Sequence, residues 1–157
     1  MVGRGVAMAV IPRPLVDEMV AHSLEDLPNE ACGVILAVDG VATAVHRVPN
    51  AAASPYRYVM DDEEQLKLQQ RLDESKGEET LFAIYHSHVA SEARPSQTDV
   101  NMAFWPPGDI SGALMYPDAI YIVVSLAEEG APVVQGFHII AGDSYEACLE
   151  PVELHFE

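Results

Sequence analysis

Two apolar runs, residues 31–38 and 41–48, are joined by Asp39-Gly40. Asp-Gly between such runs is a strong hairpin signal, because both residues tolerate the positive φ of a tight two-residue turn. An antiparallel pair fixed this early commits the chain to a sheet, and the flanking segments supply its remaining layers. Residues 6–11 form a short apolar run and predict a first strand. Leu15, Val16, Met19, Val20, Leu24 and Leu27 recur at helical spacing, after Pro12 and Pro14 and before Pro28-Asn29. That pattern predicts an amphipathic helix with proline at its start. A small-residue loop, residues 50–55, leads to a strand expected at 56–60. Asp61-Asp62-Glu63-Glu64 then opens a helix running to about Ser75. Four successive carboxylates invite a metal-site reading, but a first helical turn favours negative charge through the helix dipole, and that reading is preferred. Further strands are expected at 80–85, 119–126, 133–140 and 144–153, and a short helix at 97–104. Residues 106–118, with three prolines and two glycines, read as an ordered loop or flap within a longer segment, 104–118. The order β-α-β-β-β-α-β-(short α)-β-β-β implies an α/β fold, a mixed sheet with helices packed on it. No repeat or linker divides the 157 residues, so residues 1–157 are read as a single domain.

Composition narrows the function classes. Acidic residues number 25 against 8 basic ones, a formal charge of −17. Nucleic-acid binding requires a basic footprint, and anionic membrane surfaces attract polybasic segments; neither partner suits this chain. Two cysteines, Cys32 and Cys148, are too few for a disulfide scaffold. The apolar run ending at Pro12 is too short for a signal peptide or a membrane span, and a cytoplasmic location is expected.

Of six histidines only His86 and His88 are close, in Tyr85-His86-Ser87-His88 at the end of a predicted strand. Residues i and i+2 of a strand share a face, so the two imidazoles project side by side. Read alone, the pair fits either a metal site or a polar strand face. Seven residues on, Ser96-Gln97-Thr98-Asp99 follows Pro95 and reads as a helix start. Ser-x-x-Asp is a capping box; Asp99 is also placed to supply a third, anionic ligand. Two histidines and a carboxylate leave one position of a tetrahedral zinc open, as in catalytic sites. Such chemistry also needs a proton acceptor that is not a ligand. Glu30, in Pro28-Asn29-Glu30-Ala31-Cys32-Gly33, stands where helix meets strand and reads either as a solvated surface glutamate or as a partly desolvated base. Cys32 with His86 and Asp99 would make a thiol triad on paper, but a cysteine in an apolar strand reads better as core, as does Cys148. His22, His46, His138 and His155 have no partner spacing.

The pattern Glu30, His86-Ser87-His88, seven residues, Ser96, two residues, Asp99 resembles the JAMM (MPN-plus) metalloprotease signature, with every position filled. Pro-x-Glu-x-Cys-Gly and the apolar strand ending in Tyr-His-Ser-His are also similar to that family, and the likeness spans about residues 6–140. The resemblance implies the JAMM/MPN (cytidine deaminase-like) fold, a curved mixed β-sheet flanked by helices. It implies a Zn2+ ion held by His86, His88 and Asp99, with Glu30 as the base that later protonates the leaving amine. Ser96 would donate to the oxyanion, and Ser87 would be structural, directed away from the metal. Among family members the chain looks most like small actinobacterial enzymes that remove a C-terminal cysteine from a β-grasp sulfur-carrier protein in cysteine synthesis. The implied reaction is hydrolysis of a peptide or isopeptide bond after the tail of such a carrier. Removal of ubiquitin-like modifiers from lysines, as by a deubiquitinase-like isopeptidase, and a non-catalytic MPN scaffold are the alternatives. A zinc deaminase would need Pro-Cys-x-x-Cys, which is missing.

Overall fold

The computed structural model describes residues 7–157. Val6, the first residue of the expected first strand, and the N-terminal residues before it lie outside the described residues. Strand β1 (Ala7–Ile11) leads into helix α1 (Arg13–Glu25), which has a proline in its first turn. The hairpin follows as β2 (Cys32–Val38) and β3 (Val41–Val48), with Asp39 at φ 52° and Gly40 at φ 77°, the left-handed pair that this turn demands. Helix α2 (Asp62–Glu74) is capped by Asp61, whose side chain accepts from the Glu64 amide, and three carboxylates occupy its first turn. Capping therefore accounts for the acidic run. Then come β4 (Glu79–His88), α3 (Gln97–Met102), a two-stranded ribbon of β5 (Phe104–Trp105) and β6 (Ala113–Leu114), then β7 (Ile120–Ser125), β8 (Val133–Ile139) and β9 (Leu149–Phe156).

Seven strands form one sheet in the order β1-β9-β8-β7-β4-β2-β3. The pairs β4–β7 and β1–β9 are parallel and the others antiparallel, so the sheet is mixed, as expected. Register shifts between Ile35 and Ala37 add bulges that bend β2. Helix α1 covers one face over a core that includes Ile11, Met19, Ile35, Tyr85 and Ile122. On the other face, Leu68 of α2, Val100 of α3 and Phe104 pack on Val34, Ile84 and Tyr121. No helix among the described residues is long and apolar enough to cross a membrane.

Four local expectations are corrected. Residues 56–60 form no strand; a single bridge, Asn50 to Met60, is the one ladder pairing in this segment. Leu24 and Leu27 are exposed, and the buried stripe of α1 runs instead through Val16, Met19, His22 and Ser23. The Ser23 hydroxyl is satisfied by the Met19 carbonyl and His22 by Tyr85, so polar residues can occupy the inward face. The expected helix at 97–104 stops at Met102, because Phe104–Trp105 pairs with Ala113–Leu114 and gives the 104–118 segment a ribbon of its own. The last strand starts at Leu149 rather than 144, after a short 3-10 turn at Glu146–Cys148.

Gly33 lies opposite Tyr85 in the β2–β4 register, and a Cβ there would stand 2.5 Å from the Tyr85 ring and hydroxyl. The Tyr85 hydroxyl bonds His22 Nδ1 at 2.7 Å, while Nε2 of that ring faces Asp26 at 3.2 Å. The carboxylate can only accept, so Nε2 carries the proton and Tyr85 donates to Nδ1. Tyr85 is fully buried and has no free space to yield. Gly33→Ala is therefore expected to cost about 1–3 kcal/mol in urea unfolding, with part of that loss already present in Tyr85→Phe. An unchanged unfolding midpoint for Gly33→Ala would contradict this packing.

Candidate metal centre

Strand β4 carries His86 and His88 on the face of Ile84, the face covered by α2 and α3. Strands β4 and β7 are a parallel pair at the middle of the sheet, and both histidines sit at the C-terminal end of β4. That end of a parallel pair is where α/β sheets place their ligand sites. Helix α3 brings Asp99 to the same point from its first turn. Nε2 of His86 and Nε2 of His88 are 3.1 Å apart, and Asp99 Oδ2 lies 2.9 Å from the first and 3.2 Å from the second. All three side chains are buried.

Three ligand atoms converge on one small space. Tetrahedral zinc bound at about 2.0–2.1 Å separates its ligands by roughly 3.3 Å, close to the spacing seen. Protons satisfy the cluster poorly by comparison. The His88 Nδ1 is 2.7 Å from the Glu92 carbonyl, which can only accept, so Nδ1 carries the proton and Nε2 presents its lone pair. The donor set therefore fits a divalent cation of the zinc kind. His86 is held differently: the Tyr58 ring stacks on it, with centroids 4.5 Å apart and planes 23° apart. Asp99 is aimed by the cap of α3, where the Ser96 amide donates to Oδ2 at 2.8 Å and the Asp99 amide donates to the Ser96 hydroxyl at 3.1 Å. The capping box and the converging carboxylate are one arrangement. Burial works against the Asp99 charge, but the neighbouring histidines and the Ser96 amide outweigh it and hold the carboxyl well below its ordinary range.

Glu30 precedes β2 and is only 4% exposed. Its Oε1 has no hydrogen-bond partner among the described residues. Burial pushes its carboxyl up to about 7, His88 opposes the shift when its ring is protonated, and Asp99 adds to it. The next residue ties this position to the histidines. The Ala31 amide donates to the Ser87 hydroxyl at 2.8 Å, and the Ser87 amide donates to the Ala31 carbonyl at 3.0 Å. Ser87 thus points to the opposite face from its two neighbours and fastens the Glu30 segment alongside them. Ser96 is exposed at the helix start, and its hydroxyl accepts a bond while keeping its own proton to donate.

Cys32 is fully buried, its thiol 3.4 Å from the Val48 carbonyl, and burial pushes it up to about 12. No thiolate forms near neutral pH in such a place, which removes the thiol-triad reading. Cys148 is also buried, as expected. Three features of the site escape the sequence pattern: Tyr58, the Glu92 carbonyl, and Asn50, which binds the loop bearing Tyr58. The small-residue loop after an asparagine was the available hint, since such a side chain commonly bonds backbone two residues on. A cavity of ≈180 Å³ adjoins Asp99, lined by Tyr58, Met60, Ile84, Met102 and Tyr121. Met115 and Tyr116, which directly follow β6, line another side of it, and the Met115 amide donates to the Ala103 carbonyl at 2.9 Å.

Comparisons with known proteins identify the family. The chain is 36% identical to the CysO-cysteine peptidase of Mycobacterium tuberculosis over 150 residues, covering 94% of each chain. It is 41% identical to the desampylase of Haloferax volcanii over 98 residues, 57% of this chain and 68% of that one. The solution structure of a protein from Desulfitobacterium hafniense superposes with a TM-score of 0.74 at 28% identity, covering 96% of this chain and 93% of that one. The model describing prokaryotic homologs of the JAB domain matches residues 12–135, and the chain belongs to that family.

Proposed function

We propose that this chain is a zinc-dependent peptidase that hydrolyses the bond after the flexible C-terminal tail of a β-grasp sulfur-carrier protein and releases a C-terminal cysteine. The observation that carries the reading is the convergence of three buried ligand atoms near a buried glutamate with an unpartnered oxygen. The mycobacterial relative, named for peptidase action on CysO-cysteine, matches nearly end to end and favours that substrate class.

In this reading His86, His88 and Asp99 hold the ion. Zinc bound there supplies Lewis acidity to a scissile carbonyl and to water. Glu30 takes the proton of the attacking water on its free oxygen and later delivers it to the leaving amine. A carboxyl poised near neutral pH suits both transfers. The Ser96 hydroxyl donates to the oxygen that gains charge, and the capping bond fixes the serine while it does so. Tyr58 keeps the His86 ring in plane and shields it from water. An extended tail reaches a buried site at the end of a central strand better than a folded chain does.

The second reading, cleavage of ubiquitin-like modifiers from lysine side chains, is favoured by the similarity to the desampylase. One experiment separates the two. Zinc-loaded protein is incubated with a carrier bearing a C-terminal cysteine and with the same carrier linked to a lysine, and the products are weighed by mass spectrometry. The proposal expects the cysteine adduct to be shortened by one residue faster than the lysine adduct is split. Preference for the lysine adduct would support the second reading, and cleavage of neither would overturn both.

Glu30→Gln tests the proton carrier. The variant should keep one zinc per chain and lose about 10²–10⁴-fold in kcat; a fully active variant would remove Glu30 from the chemistry. A second readout uses metal-free protein. The folded carboxyl titrates near 7 against an ordinary value of 4.5, so the folded state binds the proton more tightly. The stability tied to this group is present below pH 4.5 and is lost as pH rises through about 7. Thermal unfolding of metal-free Glu30→Gln should therefore exceed wild type at pH 8 and match it at pH 4.

A further inference from the structure

Asn50 uses its whole hydrogen-bonding capacity on the backbone around the site. Its Nδ2 donates to the Glu30 carbonyl and to the Arg57 carbonyl, each at 3.0 Å. Its Oδ1 accepts from the Ala52 and Val59 amides, again at 3.0 Å. Two donors and two acceptors are all that an amide side chain offers. The contacts fall on two segments with different tasks. Glu30 is the base in the reading above; Arg57 and Val59 bracket Tyr58, whose ring stacks on His86. The same loop also holds the Glu30 amide, which donates to the Ser54 carbonyl at 2.9 Å. Both backbone polar groups of Glu30 are therefore bound by residues 50–54, and no regular strand supports that loop.

We infer that Asn50 is a positioning residue: it joins the backbone of Glu30 to the loop bearing Tyr58, so that base and ligand-packing ring are set against the site as one unit. The inference rests on the proposed peptidase role of Glu30. It follows from the chemistry of one side chain rather than from general packing, because the two bonds that reach Glu30 and Arg57 come from Nδ2 alone. An aspartate has the same shape and keeps the acceptor for Ala52 and Val59, but its second oxygen cannot donate and faces the Glu30 and Arg57 carbonyls. Asn50→Asp therefore breaks both Nδ2 bonds and sets like dipoles against each other, whereas Asn50→Ala removes all four bonds without that repulsion. The enzyme would then keep its metal and bind its substrate, but hold its base loosely.

The test compares Asn50→Asp and Asn50→Ala with wild type. Zinc-loaded proteins are assayed for kcat and KM on the carrier bearing a C-terminal cysteine, with zinc measured by elemental analysis. Amide hydrogen exchange is followed in metal-free protein without substrate. The inference expects kcat to fall about 10–100-fold in both variants, with KM within about twofold and zinc still stoichiometric. It expects the Glu30 amide to exchange at least about tenfold faster in both, while the amides of Val34 and Ile35 are unchanged. Unchanged kcat in Asn50→Asp would overturn it. So would an unchanged Glu30 amide in either variant, or a loss of activity that only tracks loss of zinc or of the whole of β2. Should wild type cleave no carrier adduct, the substrate reading fails, while Glu30 exchange, which needs neither metal nor substrate, still decides whether Asn50 holds that backbone.

Discussion

Two hydrogen bonds between Ala31 and Ser87 set the geometry on which everything else depends. The serine hydroxyl receives the Ala31 amide and the serine amide meets the Ala31 carbonyl, extending the β2–β4 ladder by one residue past its last regular pair, Cys32 with His86. Because strand side chains alternate, fixing Ser87 toward β2 on one face fixes His86 and His88 toward the helices on the other. A slip of one residue would exchange the two sets and turn the imidazoles toward α1. Glu30, one residue before that lock, is thereby fixed at the same end of the sheet as the pair of histidines.

The site concentrates like charge where the protein is dry. Asp99 and Glu30 are both buried carboxyls, and each raises the cost of ionising the other. The histidines and the cap of α3 keep Asp99 ionised, while Glu30, with a free oxygen, is left near neutrality. Two carboxyls pushed apart in this way are suited to separate tasks, one as a ligand and one as a proton carrier. A cation at the convergence point relieves the repulsion between them, so the charge balance and the ligand spacing point to the same occupant.

Much of this was legible in the sequence, for reasons that can be assigned. The hairpin was readable because Asp39-Gly40 admits few backbone shapes, and the histidine pair because a period of two is a property of any strand. The capping box was readable from Ser96 and Asp99 alone, although spacing could not say that one carboxylate oxygen both caps the helix and meets the histidines. What stayed hidden was structure held by side-chain bonds to backbone. Residues 56–60 read as a strand, but Asn50 binds three backbone groups of the 50–60 segment as well as the Glu30 carbonyl and leaves the segment irregular, with Tyr58 turned onto His86. Helix α1 hid its inward face in the same manner. Leu24 and Leu27 fit an apolar stripe by type, but His22 and Ser23 have buried partners and take the inward positions.

The central claim is that His86, His88 and Asp99 together bind one zinc ion. X-ray absorption at the zinc edge, on metal-free protein reloaded with one equivalent of zinc, tests it most directly. The account predicts a saturable single site with a first shell of nitrogen and oxygen only, including two imidazoles, and loss of that site in Asp99→Ala. A sulfur atom in the first shell, or unaltered zinc binding in Asp99→Ala, would contradict it.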